Sequence, residues 1–388
     1  MSGPLSGIRV LELAGIGPGP FCGMVLADLG ADVIQVHRST DRALRSDPLD
    51  RGRRSIVLDL KRADAVEAVL RLADQSDVLF EGFRPGVAER LGVGPDTCLA
   101  RNPRLVYGRM TGWGQDGPYA ANAGHDINYI ALAGALEGIG RDGQPPTPPA
   151  NLIGDFGGGG MLLALGIVSA LVERGQSGRG QVVDAAMVDG AALLMAGMYG
   201  LQANGAWHEG RGTNLLDTGS ARYDVYETAD GKWVAVGSME QQFFDNLVRV
   251  LGLDGDSDVA REQRAGLFDV SAAPAAKAAI AATFRTRTRA EWCALLEDDP
   301  DLCFAPVLTM NEAPEHPHNK ARGTFIEVDG VVQPGPAPRF SRTPGSVRCP
   351  PPEHGQDTEA VLLEAGFTDE EVSALRADAS SPETKGPR

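Results

Sequence analysis

The chain has 388 residues, 43% of them hydrophobic, so it is long enough to bury a large core in one domain with an insertion or in two domains. Its formal net charge of −16 at pH 7 argues against a general nucleic-acid-binding protein, which needs a strongly basic surface. An anionic ligand would therefore need a local cluster of basic residues.

The cysteines indicate a reducing compartment. The five cysteines are scattered, form no CxxC pair and are odd in number, so the sequence predicts neither a disulfide framework nor a zinc site. The N-terminus has no basic region followed by an apolar run, and no uninterrupted apolar segment is long enough to cross a bilayer. A cytoplasmic protein without a membrane anchor is expected.

The first third of the chain alternates strands with helices. Residues 8–14 predict a buried strand, the turn GIGPGP leads into a helix over 21–29, and residues 32–38 predict a second strand. This β-α-β unit implies a parallel sheet with a right-handed crossover. The alternation continues with strands at 55–60, 77–83 and 105–112 and helices at 65–75 and 85–92. A doubly wound α/β domain is therefore predicted.

The turn GIGPGP has two interpretations. Glycines after a first strand allow a pyrophosphate to approach a helix N-terminus, as in dinucleotide-binding proteins. Here the third glycine is misplaced for GxGxxG, residue 20 is proline, and the second strand ends in His37-Arg38 instead of an acid that could hold a ribose. A tight Pro/Gly turn is the favoured interpretation.

Basic residues crowd together soon after the second strand. Aspartates are interleaved with them, so a solvated surface of mixed charge explains part of the cluster, but several of these residues stand at predicted strand ends, where α/β sheets bind ligands. Arginine is suited to bidentate phosphate contacts, and the cluster is a candidate phosphate site. It comprises Arg38, Arg42, Arg45, Arg51, Arg53, Arg54, Lys61 and Arg62, joined later by Arg84 and Arg90.

Two proton-transfer groups of different type stand in the stretch 112–160. His125 and Asp126 lie at a predicted helix start, whose free N–H groups could stabilise an oxyanion. A lone histidine is more often structural than catalytic, and Asp155 has its own structural interpretation as a helix N-cap. Asp155 stands just before four glycines, 157–160, which suggest close approach of another backbone or of a ligand.

The rest of the chain predicts a second domain of different architecture. A long apolar helix over 157–173 and a strand and helix over 179–205 complete the first domain; the methionines of that last helix are core residues or a soft binding surface. The hairpin signal Asp230-Gly231 and three helices then predict α+β structure. The predicted divisions are a large α/β domain (1–204), a linker (205–220), a small α+β domain (221–321), a return segment with C-terminal helices (322–375) and a disordered tail (376–388).

No GxSxG elbow and no P-loop appears in the sequence. Several other motifs stand between about residue 5 and residue 343: LSGIRVLELAGIGPGP, DLGADVIQVHR, LDLK, EGFRPGV, RMTGWGQDGP, GHDINYIALAG, NLIGDFGGGG, GQVVDAAMVDG, YETADGKWVAVGSMEQQFF and PAPRFSRTP. Together they resemble the α-methylacyl-CoA racemases, members of the family III CoA-transferase superfamily. In that superfamily the GHDxNY and GDFGGG blocks separate racemases from transferases.

The resemblance implies a racemase of 2-methylacyl-CoA thioesters that needs no metal or redox cofactor. The family's two acid/base residues match His125 and Asp155, one on each side of the α-carbon, with the Asp126 N–H as the candidate oxyanion donor. Glu240 matches the acid that orients the histidine. The CoA-binding positions that match are Arg38, Leu58, Asp59, Leu60, Lys61, Gly82, Phe83, Arg84, Arg90, Gly124 and Tyr129.

Assembly and reaction type remain open at this point. Members of the family are interlocked homodimers, so a site at a domain or subunit interface is implied. One alternative is a CoA-transferase in which Asp155 is the nucleophile, against which the presence of His125 argues. Another is a non-catalytic acyl-CoA-binding module, and for Arg90 a role as a plain helix-surface charge is also open.

Overall fold

The computed structural model describes residues 3–40, 47–297 and 299–377. The chain divides into two compact units, the first formed by residues 1–133, 151–193 and 322–388 and the second by residues 134–150 and 194–321. Arg42, Arg45 and the predicted disordered tail from residue 378 onward lie outside the described residues.

A six-stranded parallel sheet forms the centre of the first unit. Its spatial order is β3-β2-β1-β4-β5-β6, and the predicted doubly wound α/β fold is confirmed. The strands are β1 (Arg9–Leu13), β2 (Asp32–His37), β3 (Arg54–Val57), β4 (Val78–Glu81), β5 (Val106–Thr111) and β6 (Val182–Ala186).

Helices connect these strands and cover both faces of the sheet. They are α1 (Pro18–Asp28), α2 (Ala63–Asp74), α3 (Val87–Arg90), α4 (Pro95–Arg101), α5 (Asp126–Leu132), α6 (Leu162–Ser177) and α7 (Met187–Leu194), with a short 3-10 turn at Pro48–Asp50. Val10 of β1 packs in the core cluster with α1 and α6, while Leu11 packs in the cluster with α2. Successive strand residues thus face opposite layers, as a sheet covered on both sides requires.

A π-helical segment, Leu152–Met161, leads directly into α6. The predicted helix over 157–173 therefore begins earlier, and Asp155 lies inside its first turn and is not its N-cap. The glycine run does allow close backbone approach: a Cβ on Gly158 would lie 2.7 Å from the Ala191 nitrogen, and one on Gly160 would lie 2.5 Å from the Pro18 oxygen. Wide helical turns of this kind often occur at functional sites.

The helix that runs from Leu152 to Ser177 is long and apolar enough to cross a membrane by length and composition, the one such helix among the described residues. The sequence led us to expect none, because no uninterrupted apolar segment was judged long enough. Leu163 and Ile167 of this helix are 0% exposed and pack against the sheet in the core of the first unit. Core packing accounts for the apolar residues on this face, whereas Leu165 and Val172 of the same helix are exposed.

The second unit is an α+β structure with an antiparallel sheet in the order β7-β8-β9. Its elements are α8 (Ala196–Ala203), β7 (Tyr223–Glu227), β8 (Trp233–Gly237), α9 (Gln241–Val250), α10 (Ser257–Arg264), α11 (Ala273–Phe284), α12 (Arg289–Leu296), β9 (Phe304–Pro306) and α13 (Pro317–Arg322). Residues 134–150 also belong here, because Arg141 forms an ion pair with Asp224 of β7 and Arg211 pairs with Glu137.

The chain then returns to the first unit. The hairpin β10 (Phe325–Val328) and β11 (Val331–Pro334) is followed by α14 (Thr358–Glu364) and α15 (Asp369–Ala377). Val361 and Leu375 of these helices join the core cluster that contains α2. The C-terminal helices expected from the sequence are present, and Thr368 and Glu371 form a capping box at the start of α15.

Candidate active site

A cleft of about 740 Å³ lies in the first unit, between the loops that follow β1 and β4. Strands β1 and β4 are neighbours in the sheet, and the strand order changes direction between them. Open α/β sheets bind ligands at such a switch point, outside the carboxyl ends of the strands. The fold alone therefore makes this cleft the first candidate for a binding site.

The loop after β1 brings its backbone against Asp155. Gly17 has a φ of 68°, a conformation that favours glycine, and a Cβ at this position would lie 2.8 Å from Asp155 Oδ2. Both residues line the cleft. The turn GIGPGP thus makes room at Gly17 for a carboxylate of the protein itself, a reason for this glycine that differs from binding a pyrophosphate.

His125 stands on the wall of the cleft at the residue before α5. Its backbone N–H donates to Asn128 Oδ1 at 3.0 Å, which closes the first turn of the helix from its N-terminal side. The histidine side chain is exposed, whereas the next residue, Asp126, is only 2% exposed. The start of α5 therefore presents the imidazole to the cleft and holds the carboxylate behind it.

Asp155 is held by two hydrogen bonds that come from different parts of the unit. Its backbone N–H donates to Asp126 Oδ2 at 2.7 Å, and its Oδ2 accepts from Asn151 Nδ2 at 2.8 Å. Burial raises the pKa of the Asp155 carboxyl, as does the charge of Asp126, while the Asn151 hydrogen bond and the nearby His125 lower it. The net effect is a raised pKa, which favours a carboxyl group that can hold and release a proton.

Tyr129 fills the space between two glycines at one side of the cleft. A Cβ on Gly112 would lie 2.1 Å from the tyrosine ring, a Cβ on Gly124 would lie 2.7 Å from it, and the Trp113 ring packs edge-on at 4.7 Å. Burial raises the pKa of the Tyr129 hydroxyl; Asp155 raises it further, and Arg84 lowers it. The side chain is thus a fixed wall of the cleft.

Comparison with known proteins decides the family. The family model described as CoA-transferase family III matches residues 5–358. The chain belongs to this family. A Mus musculus protein named alpha-methylacyl-CoA racemase is 47% identical over 96% of this chain and 96% of its own length. A succinyl-CoA–D-citramalate CoA-transferase from Chloroflexus aurantiacus is 32% identical over 96% of this chain and 97% of its own length.

The fold of a family III relative has also been solved. The crystal structure of a CAIB/BAIF family protein from Brucella suis matches 94% of this chain and 100% of that chain, with a TM-score of 0.80 and 27% identity. The resemblance inferred from the motifs is confirmed at the level of the family by the match over 5–358.

Within this family III fold, many of the predicted site residues line one cleft. They are His125, Asp155, Gly82, Phe83, Arg84, Gly124 and Tyr129. Asp126 does not itself line the cleft. Its carboxylate accepts a hydrogen bond from the backbone N–H of Asp155, which does. Two residues absent from the predicted set, Asn151 and Gly17, contact Asp155 directly; the Asn151-to-Asp155 spacing of one helical turn was the available signal.

The other predicted residues lie elsewhere in the described structure. Arg38 follows β2 and is exposed, and Arg90 ends α3 and is also exposed. Leu58 is 1% exposed and belongs to the hydrophobic core. Asp59, Leu60 and Lys61 follow it, with Asp59 Oδ1 accepting from the Lys61 N–H at 3.1 Å. Their roles in binding stay predictions.

Glu240 belongs to the second unit. It is exposed and directly precedes α9. Its predicted role beside the imidazole of His125 stays a prediction.

Three arginines of the basic cluster are engaged inside the fold and do not form an open phosphate site. Arg51 is 2% exposed and pairs with Asp28 at 2.5 Å, and Arg53 is 1% exposed and pairs with Glu12 at 2.6 Å. Arg54 pairs with Asp32 and with Glu364. Proximity in sequence overstated this cluster, because Arg51 and Arg53, just before β3, and Arg54, its first residue, pair with acidic side chains of the fold.

Proposed function

We propose that this chain is a racemase of 2-methylacyl-CoA thioesters, interconverting the 2R and 2S epimers. The observation that carries the proposal is that His125 and Asp155, one imidazole and one carboxyl group, line the same cleft at the switch point of the sheet. The higher identity to a racemase than to a CoA-transferase supports the same choice.

The reaction uses the two groups as a base and an acid on opposite faces of the α-carbon. One group removes the α-proton, the electrons of the broken C–H bond move onto the thioester oxygen as an enolate, and the other group delivers a proton to the opposite face. Positioned acid–base groups contribute factors of about 10² to 10⁴. In the reverse direction the two groups exchange roles, so their protonation is that of a coupled pair.

The enolate oxygen needs a hydrogen-bond donor, and the backbone N–H of Asp126 is the candidate. This N–H lies in the first turn of α5, where N–H groups have no partner within the helix. One preorganised oxyanion donor contributes about 3–4 kcal/mol. The Asp126 carboxylate meanwhile holds the Asp155 backbone, so one residue supports both the oxyanion and the carboxyl group.

The remaining parts of the proposal concern substrate and assembly. The CoA part binds through Arg84 and the Gly82–Phe83 turn of the cleft, with Arg38, Lys61 and Arg90 contacting phosphates. The active protein is a cytoplasmic homodimer that needs no metal or redox cofactor, and Glu240, from the same chain or from the partner, orients His125. Nucleic acids and membranes are not among its partners.

A CoA-transferase is the second candidate, because the family includes transferases and Asp155 offers a carboxylate in the cleft. Its reaction would pass the acyl group to Asp155 as an anhydride, and it gives no role to His125. The racemase uses both groups, which is why we favour it.

Incubation of a (2S)-2-methylacyl-CoA with the enzyme in deuterated water separates these candidates. The racemase produces the 2R epimer with deuterium at the α-carbon and needs no second acid. The transferase forms a new thioester only when a free carboxylic acid is added. Absence of both α-deuterium and epimerisation would contradict the racemase.

A further inference from the structure

Glu81 is a fully buried carboxyl group at the edge of the cleft. It is the last residue of β4 and is 0% exposed, and the loop that follows, Gly82–Pro85, lines the cleft. Burying a carboxylate costs free energy unless polar partners compensate it. Its partners therefore indicate what the side chain does at this position.

One oxygen of Glu81 fixes the backbone of the loop. Glu81 Oε2 accepts a hydrogen bond from the Phe83 N–H at 2.6 Å. Such a bond to a carboxylate is stronger than one between neutral groups. Phe83 packs against the core, whereas Arg84 is exposed and lines the cleft. The carboxylate thus sets the conformation of the backbone that carries Arg84.

The other oxygen of Glu81 shares a guanidinium group with a second acid. Arg109 Nε lies 3.3 Å from Glu81 Oε1, and Arg109 Nη1 lies 2.8 Å from Glu89 Oε1 of α3. In the described part of the chain, neither Glu81 Oε1 nor Arg109 Nε has a hydrogen-bond partner. Two carboxylates therefore share one guanidinium group, and the buried carboxylate of Glu81 makes the longer contact with it.

We propose that Glu81 is a positioning residue for acyl-CoA binding: its carboxylate holds the Gly82–Pro85 loop in the binding conformation, and Arg109 with Glu89 sets its charge. This inference rests on the proposed function for the identity of the ligand. It assigns Glu81 to binding and not to the proton transfers of His125 and Asp155.

The arrangement makes binding sensitive to pH near neutrality. Burial raises the pKa of Glu81 to about 7; the Phe83 N–H and Arg109 lower it, and Glu89 raises it. Burial, and then the charge of Glu81, raises the pKa of the Tyr107 hydroxyl on β5. Protonation of Glu81 weakens the bond to the Phe83 N–H, so KM for the thioester rises as pH falls through the pKa.

Glu81→Gln tests the assignment, with Glu12→Gln as the matched control. The two oxygens of Glu81 face the Phe83 N–H and the Arg109 guanidinium group. Glutamine replaces one of these oxygens by an NH₂ group, which cannot accept from either donor, so one contact is lost. Glu12 is also 0% exposed, pairs with Arg53 at 2.6 Å and has a pKa raised to about 7 by burial, but it does not contact the loop. Both variants remove a buried charge from the same sheet.

For Glu81→Gln we expect KM and the Kd for free CoA to rise about tenfold, equivalent to about 1.4 kcal/mol, with kcat changed far less. For Glu12→Gln we expect neither constant to change. Equal effects in the two variants, or an unchanged Kd in Glu81→Gln, would overturn the proposal. The Kd is measured by calorimetric titration with free CoA as the probe. The test of CoA binding therefore does not depend on whether the reaction is racemisation.

Glu89→Gln provides a second test that does not disturb the core, because the Glu89 side chain is 45% exposed. Without the charge of Glu89, Arg109 pairs with Glu81 alone, and the pKa of Glu81 falls. We expect the rise in KM at acid pH to move to lower pH in Glu89→Gln and to be absent in Glu81→Gln. A profile of KM against pH that is unmoved in Glu89→Gln would overturn the proposal.

Discussion

The carboxylate of Asp126 accepts a hydrogen bond from the backbone N–H of Asp155, at 2.7 Å. The two residues are 29 positions apart, and this bond ties the start of α5 to the π-helical segment. A Cβ on the intervening Gly154 would lie 2.5 Å from Asp126 Oδ2, so glycine is required for the approach. The positions of the imidazole and the carboxyl group in the cleft are thereby linked.

Asp126→Ala is expected to lower both stability and activity. It leaves the Asp155 N–H without its partner, which costs about 1–3 kcal/mol. A displacement of Asp155 lowers kcat by up to about a hundredfold. Urea unfolding and the rate of α-proton exchange measure the two effects. Asp126→Asn, which keeps an oxygen acceptor, is the control, and an equal loss in both variants would argue against the hydrogen bond as the cause.

Asn151→Gly is expected to raise the pKa of Asp155 further. The Asn151 amide donates to Asp155 Oδ2 and favours the charged carboxylate, so its removal favours the protonated form. The acid limb of kcat/KM, where Asp155 must be deprotonated to act as the base, then moves to higher pH. Glycine suits the φ of 64° at this position. Ala150→Gly, at a φ of 52°, is the matched control and should leave the limb in place.

Gly17→Ala is expected to reduce kcat because the new methyl group meets Asp155 Oδ2 at 2.8 Å and displaces the carboxyl group. The substitution also carries backbone strain, since φ is 68°. Gly7→Ala is the control: its φ is 90°, and a Cβ there meets nothing within 4 Å. Both variants should lose stability by about 1 kcal/mol or more, and only Gly17→Ala should lose activity. Similar activity in the two would show that Asp155 tolerates the methyl group.

Gly190→Ala is expected to destabilise the first unit. A Cβ on Gly190 of α7 would lie 1.9 Å from the Gly158 oxygen, so α7 and the π-helical segment must separate. Overpacking of this kind costs about 1–3 kcal/mol or more. Gly175 of α6 meets nothing within 4 Å, and Gly175→Ala should instead stabilise by about 0.5–1 kcal/mol. Thermal unfolding compares the two, and a stable Gly190→Ala would contradict the close packing.

The parallel sheet was predictable from the sequence because short strand-forming runs alternate with helical patterns along the first unit. The hairpin at Asp230-Gly231 was predictable for a local reason, the turn preference of the pair. The same signal stands at Asp329-Gly330, whose φ angles of 51° and 76° form the turn between β10 and β11, but the Pro-rich surroundings hid it. Helices α4 and α10 are short and carry weak apolar patterns, so they were missed.

The chemistry of the site was less predictable than its residue types. His125 and Asp155 were found from their motifs, but the hydrogen bonds from Asn151 and to Asp126 depend on the path of the backbone. The basic cluster shows the opposite failure. Charge counted along the chain cannot distinguish Arg38, which is exposed, from Arg53, which is buried in an ion pair with Glu12.

If two bases act on opposite faces of one α-carbon, the loss of either base has a distinct effect on α-deuterium exchange, which is measured for His125→Ala and Asp155→Ala on each separated epimer. Each variant keeps one base. We predict that His125→Ala exchanges the α-proton of one epimer without inversion, and that Asp155→Ala exchanges that of the other. Exchange of both epimers by a single variant, or racemisation that continues in either variant, would contradict the account.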